Sequence, residues 1–238
     1  MSANAIEHLG WDSQFFGYPV ARIVFDDKGC ENLIDLFRQI ISEKIRLTYF
    51  FVPAAETNLN NLISDKGLTL IDQKTTYSKK TEKHIRYSNN ISEFQETVIS
   101  GRLTELGLQA GLFSRFRLDL NFTNKEYEKL YVEWLTKSLN KTLALKTFIA
   151  KDGSDIIGIT TLGKKAEFAD IGLVAVEKKF RGQGIAYDLI NSADNAAFDL
   201  GFNEIKVVTQ LSNIGACRLY ESCNFKIESV INVYHYWQ

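Results

Sequence analysis

The stretch that most restricts the fold is FRGQGIAYDLI, residues 180–190. It joins an apolar run ending at Val176 to a helical pattern that starts near Ile185. Arg181, Gly182, Gln183 and Gly184 fill the turn between them. A strand, a glycine turn and a helix start leave the first helical N–H groups pointing forward without intrahelical partners. The helix dipole adds a positive field at the same place, so the arrangement suits phosphate or pyrophosphate. Glycine lets backbone come close to such a ligand. The turn alone does not name the carrier of the phosphate. A P-loop needs Lys directly after Gly184, where Ile185 stands, and a dinucleotide fingerprint needs a third glycine where Tyr187 stands. A lone GxG is equally compatible with a connecting loop that holds nothing.

The rest of the chain reads as alternating strands and helices. YPVARIVF, LTYFFVPA and LTLIDQKTTYSKK are rich in β-branched and aromatic residues and predict strands. Between them, Leu33, Leu36, Phe37, Ile40 and Ile41 repeat with a helical period, and TNLNNLISDKGL predicts a helix stopped by Gly67. The polar segment SKKTEKH, 78–84, marks the expected boundary between a small α/β domain, 1–82, and a second domain, 83–238. In the second, IRYSN predicts a strand and ISEFQETVISGRL a helix. NKEYEKLYVEWLTKSLN predicts an amphipathic helix with Asn124 as its N-cap. Asp152–Gly153 predicts a hairpin, EFADIGLVAVE a strand, and GIAYDLINSADNAAFDLGF a helix ended by Gly201. EIKVVTQL, NIGACRLYESC and FKIESVINVYHYW then predict strand, helix and strand. Hairpins mixed with helical crossovers predict an α/β fold with a mixed sheet. Tyr234 and Tyr236 alternate on the last strand, which raises the possibility of pairing across a homodimer.

Composition excludes several classes. A formal net charge of −1 argues against general nucleic-acid binding, although Lys178, Lys179 and Arg181 form a local basic cluster. No apolar run reaches membrane-spanning length, and the N-terminal MSANAIEHLG has no secretory core, so the expected location is cytoplasmic. Cys30, Cys217 and Cys223 make no CxxC pair, and His8, His84 and His235 make no HExxH pattern. No metal is expected.

Two separated motifs then give the phosphate a carrier. LVAVEKKFRGQGIAYDLI resembles the [RQ]xxGx[GA] pattern of the GCN5-related N-acetyltransferase (GNAT) superfamily, with Arg181, Gly184 and Ala186 at the defining positions. VVTQLSNIGACRLYESCNF resembles the next strand, Asn and helix of that superfamily. It departs at Cys223–Asn224, where a pair such as Cys/Gly is usual, and Asn tolerates the left-handed backbone. The resemblance implies the GNAT acyl-CoA acyltransferase fold, acetyl-CoA as cosubstrate and no metal. It implies that backbone donors from Arg181, Gly182, Gln183, Gly184, Ile185, Ala186 and Tyr187 hold the pyrophosphate. It implies further that Val174, Ala175 and Val176 pair with pantetheine along a strand edge. Asn213 and Tyr220 are seven residues apart, which is nearly two helical turns, or about 10 Å along one face. The resemblance gives Asn213 to pantetheine and makes Tyr220 the general acid to the departing thiolate. An unperturbed Tyr lies about 1.5 units above a thiol, so full proton transfer is uphill by about 2 kcal/mol. Tyr220 would then act chiefly by hydrogen-bonding the developing charge. Glu167, Asp170 and Glu177 flank the central strand, and none is singled out as the amine's base.

LGWDSQFFGYPVARI and SRFRLDLNF are similar to segments of the nucleotide-sugar N-acetyltransferases, which carry a small α/β domain before the GNAT domain. That similarity implies a small-molecule nucleotide-sugar acceptor and a role in surface polysaccharide biosynthesis. Arg115 and Arg117, if extended, would point the same way and could pair with the diphosphate. Acceptors of another kind (a protein N-terminus, a polyamine, an antibiotic) and a non-catalytic CoA sensor are the competing readings.

Overall fold

Alternation of apolar and polar residues sets the strands, and their pairing sets the site. The structure, a computed structural model, describes residues 5–25, 33–84 and 90–238. Cys30 and the strand expected at IRYSN lie outside the described residues. The chain forms two compact units: one of residues 1–74, 118–121 and 229–238, the other of residues 75–117 and 122–228. The first strand division thus falls at Lys74/Thr75, inside a strand, and most of the last strand belongs with the N-terminal unit.

In the first unit the strands are β1 (Ala5–His8), β2 (Val20–Val24), β3 (Leu47–Pro53) and the larger part of β10 (Lys226–Trp237), followed in the sheet by the start of β4 (Thr69–Lys80). β2 and β3 are parallel, whereas β1 with β2 and β3 with β10 are antiparallel. Helices α1 (Gly10–Phe16), α2 (Leu33–Ser42) and α3 (Thr57–Asp65) complete the unit. Leu33, Leu36 and Ile40 of α2 and Leu59 and Ile63 of α3 bury their side chains with Ala21, Ile23, Phe50, Val52 and Tyr234. Asn60 is buried in that layer with every polar group satisfied. Its Nδ2 donates to Pro53 O at 2.9 Å and Glu56 O at 2.8 Å, and its Oδ1 accepts from Asn232 Nδ2 at 2.7 Å and Tyr234 Oη at 2.8 Å. Tyr234 is thus a core residue and β10 an internal strand, so the alternating tyrosines offer no edge to a second copy.

The second unit continues β4 into a sheet ordered β4-β9-β8-β7-β6-β5. Its other elements are β5 (Ile91–Glu93), α4 (Gly101–Ala110), α5 (Arg115–Leu118), α6 (Glu126–Leu139), β6 (Lys146–Asp152), β7 (Asp155–Lys165), β8 (Phe168–Val176), α7 (Ile185–Asp199), β9 (Glu204–Gln210) and α8 (Ile214–Ser222). β5 to β8 are antiparallel neighbours, and β8 with β9 is parallel. α7 buries Leu189, Ile190, Ala193 and Ala197 completely. Full burial of one Leu or Ile is worth about 1.5–3 kcal/mol, so this face alone pins the helix to the sheet. Among the described residues no helix is long and apolar enough to cross a membrane.

Two local expectations need correction. Residues 91–103 are not one helix: Ile91–Glu93 pairs with β6, Phe94 N–H donates to Thr147 O at 2.8 Å, and α4 starts only after Ser100, whose hydroxyl caps Leu103 N–H at 3.2 Å. The apolar spacing mimicked a helix, and pairing with β6 overrode it. Lys125 rather than Asn124 is the N-cap of α6, in a left-handed conformation with φ 60°, because Asn124 N–H and Nδ2 both donate to the Glu126 carboxylate.

Asp119, buried in the first unit, ties residues 118–121 to β10. It accepts from His235 Nδ1 at 2.5 Å, Trp237 Nε1 at 2.8 Å and Asn121 N–H at 3.0 Å. Burial pushes its carboxyl up, and the hydrogen bonds from His235, Asn121 and Trp237 together outweigh that and bring it down to about 2. Its folded pKa lies below the ordinary 3.8, so its stabilisation is present above that value and is lost as pH falls through about 2. Asp119→Asn should lower the thermal midpoint at neutral pH and flatten its fall between about pH 4 and 2, as followed by circular dichroism. An unchanged acid limb would remove Asp119 from the acid response.

Candidate active site

The site begins where two parallel neighbours stop pairing. β8 and β9 pair through Ala169–Ile205, Asp170–Lys206 and Ile171–Val207. Among the described residues their pairing ends there, although β8 runs on to Val176 and β9 to Gln210. On its other side β8 stays paired with β7 through Val174, Ala175 and Val176. A bulge lies at the point of parting: Ile171 faces Leu162 and Val174 faces Thr160, so Gly172 and Leu173 together oppose Thr161. Thr161 Oγ1 accepts the Leu173 N–H at 2.8 Å, which satisfies a buried donor that the ladder has left behind. Bulges bend a strand and increase its twist.

Backbone groups alternate along a strand. Glu177 N–H donates to Ile157 O of β7 at 2.8 Å, which turns the backbone of Ala175 towards β7 and that of Val174 and Val176 towards the open side. Of the three residues expected along pantetheine, these two present their amides to the gap. The side chain of Val174 packs against the apolar cluster that includes Ile171, Val207 and Tyr220.

The turn after β8 has the form the sequence implied. Lys178–Phe180 makes a short 3-10 turn, and Arg181 is extended. Gly182 and Gly184 have φ of 79° and 80°, in the left-handed region open to glycine, and a Cβ on either would meet nothing within 4 Å. Gly184 is the N-cap of α7 and supplies no side chain, so Ile185, Ala186 and Tyr187 start the helix with uncapped N–H groups. Gln183, Gly182 and Gly184 are exposed. The Arg181 side chain is engaged locally: its Nε donates to Val176 O at 2.9 Å and its Nη2 to Gln109 Oε1 at 3.1 Å. Arg102 of α4 braces the same end of β8, donating to Ile156 O at 2.8 Å and pairing with Glu177. Neither Gln109 nor Arg102 carries a signal in the sequence; only folding brings α4 to this turn.

Asn213 caps α8, its Oδ1 accepting from Ala216 N–H at 3.2 Å. Tyr220 lies further along that helix, 4% exposed, with its ring 5.7 Å from that of Tyr77 and 6.1 Å from that of Phe225. Burial above all, with Cys223 and Cys217 beside it, pushes its hydroxyl well above the ordinary tyrosine range. Such a group stays protonated at neutral pH. Asn224, the departure from the usual motif, has φ 66° and ends α8 in the left-handed conformation.

Arg115 and Arg117 do not share a face. They lie in α5, where residues two apart diverge by about 200°. Arg115 stacks on Phe116 at 4.3 Å, and Arg117 lies 5.8 Å from the Tyr127 ring. Among the flanking carboxylates, Asp170 pairs with Lys165 at 2.8 Å, Glu177 with Arg102 and, at 3.7 Å, Lys179, and Glu167 is exposed.

This arrangement offers an anion seat at a helix start, an amide-bearing edge leading from it, and a protonated hydroxyl in the adjoining apolar cluster. The Acetyltransferase (GNAT) family profile matches residues 113–225. The dTDP-fucosamine acetyltransferase of Escherichia coli O6:H1 is 25% identical over 240 residues, 98% of this chain and 96% of that one. The spore coat polysaccharide biosynthesis protein SpsD of Bacillus subtilis is 27% identical over 135 residues, 57% of this chain and only 46% of that one. Among solved structures, a GCN5-related N-acetyltransferase from Sphaerobacter thermophilus shares the fold with a TM-score of 0.67 at 15% identity, covering 99% of this chain and 76% of that one. Over residues 113–225, therefore, the chain is similar to the acetyltransferase domain of the GNAT family.

Proposed function

We propose that the chain transfers the acetyl group of acetyl-CoA to the amine of a nucleotide-linked amino sugar such as dTDP-4-amino-4,6-dideoxygalactose, in the biosynthesis of a surface polysaccharide. The observation that carries this reading is the open edge of β8 ending in the uncapped glycine turn. A pyrophosphate fits the turn, which gathers N–H donors and a helix dipole and leaves room where side chains would stand. The amides of Val174 and Val176 match an extended arm that carries amides of its own. Support for the sugar comes from the relative named dTDP-fucosamine acetyltransferase, which aligns along nearly all of this chain. The chemistry belongs to the unit of residues 75–117 and 122–228.

When bound, acetyl-CoA supplies an activated acyl group, and the protein's task is to place it and stabilise the charge that leaves on sulfur. Tyr220 performs the second part. Its raised pKa makes complete transfer of its proton to a thiolate more costly than for an ordinary Tyr, so it acts as a hydrogen-bond donor to the developing charge. Arg181 contributes by position: it caps Val176 O and holds the end of β8 against Gln109. No side chain needs to form a covalent bond. The carboxylates near the strand are engaged with lysines and arginine or lie in solvent, and water suffices to take the amine's proton.

Purified protein given acetyl-CoA and dTDP-4-amino-4,6-dideoxygalactose should release free thiol in step with acetylated sugar; release no faster than from acetyl-CoA alone would sink the sugar reading. Tyr220→Phe should lower kcat about a hundredfold and leave KM for acetyl-CoA nearly unchanged, as expected for a donor used in the transition state. Because Tyr220 stays protonated, wild-type kcat should show no alkaline decline up to about pH 10. Gly184→Ala places a Cβ in the left-handed region at a cost of about 1–2 kcal/mol, and KM for acetyl-CoA should rise about tenfold with the fold retained. An unchanged KM would move the pyrophosphate away from this turn.

A further inference from the structure

Tyr77 lies in β4, before the residues that match the acetyltransferase family, and no motif in the sequence marks it. It is fully buried in the second unit and faces one side of α8. Three residues of that side meet it. The Tyr220 ring lies 5.7 Å away at an interplanar angle of 52°. The Tyr77 hydroxyl donates to Glu221 Oε1 at 3.2 Å. Cys217, one turn earlier, lies in the same buried cluster as Tyr77. Cys217 and Glu221 are four residues apart and so lie on one face of α8, with Tyr220 between them in sequence. The ring of Tyr77 walls one flank of Tyr220 while Phe225 packs on another, and its hydroxyl ties to Glu221 of the helix that carries Tyr220.

We infer that Tyr77 is a positioning residue for the reaction: it sets where the Tyr220 hydroxyl stands, through ring contact and through the tie to Glu221. This rests on Tyr220 being the donor proposed above. A donor aimed at one sulfur atom loses effect with small displacements, and a tyrosine held on two flanks and by its own helix has little freedom to move. The placement also explains a polar contact that packing alone does not require. A phenylalanine would fill the space at position 77 equally well, yet the hydroxyl there reaches Glu221, an exposed residue at the end of α8.

Eight proteins test this: wild type, Tyr77→Phe, Tyr77→Leu and Glu221→Gln, each made with and without Tyr220→Phe. Thiol release should give kcat lowered about threefold in Tyr77→Phe and about tenfold in Tyr77→Leu, with KM for acetyl-CoA within about twofold of wild type. Glu221→Gln, which keeps an acceptor for the hydroxyl, should retain at least about half of kcat. In the Tyr220→Phe background these losses should vanish, because the residues act through one group. Losses of the same size in both backgrounds would overturn the inference, since they would show a general structural effect. A second reading needs no acceptor. In protein isotope-labelled at tyrosine Cζ, the Tyr220 resonance, assigned by its absence in Tyr220→Phe, should move in Tyr77→Phe and move further in Tyr77→Leu. A Tyr220 resonance unmoved in Tyr77→Phe overturns the inference even if Tyr77→Leu does not fold. Failure of thiol release with the sugar would count against the proposed acceptor and leave this resonance test intact.

Discussion

The feature on which the site depends is a parallel strand pair that stops pairing. β8 and β9 hold together up to Ile171 and Val207, and beyond that point β8 keeps only its β7 partner. An edge of this kind is a liability in most proteins, because unpaired N–H and C=O groups invite another strand. Here the edge is short, it begins at a bulge, and it ends in a turn whose geometry rules out further strand. Thr161 makes the bulge affordable by accepting the Leu173 N–H that the ladder cannot serve. In the proposed reading the same gap would give an amide-bearing ligand a line of partners and bring its far end onto the start of α7.

Charge at the site is mostly carried by backbone. Gly182 and Gly184 supply left-handed turns, and the first residues of α7 supply donors with no side-chain cap to compete. Arg181 would be the natural cation for a phosphate, yet its guanidinium is held by Val176 O and Gln109. The arginine therefore shapes the seat. Tyr220 is tuned in a related way. Burial beside Cys217, Cys223, Tyr77 and Phe225 raises the cost of its ionisation and keeps its proton available to donate.

Local signals in the sequence carried the backbone of the glycine turn and of the α8 ends well. Glycines with positive φ, a helix start after an apolar strand, and an Asn at the left-handed end of α8 are all short-range constraints, and the structure has each where the pattern places it. Long-range pairing was not legible. Ile91, Phe94 and Val98 have helical spacing, but the first is committed to β6 and Val98 is 74% exposed. Arg115 and Arg117 looked extended because nothing local announces a single turn of helix. Tyr77 read as one more residue of an alternating strand, and only the assembly of β4 beside β9 brings it to Tyr220. The composition gave no hint of the buried Asp119–His235 pair, whose partners are more than a hundred residues apart.

One ligand running from the open edge of β8 to the start of α7 would cover backbone N–H groups at both ends. Hydrogen–deuterium exchange with and without CoA reads those groups. CoA addition should slow exchange in peptides covering Val174–Val176 and Gly182–Tyr187, with little change in the peptide covering β3. Unchanged exchange at both segments at a CoA concentration that saturates binding would contradict it.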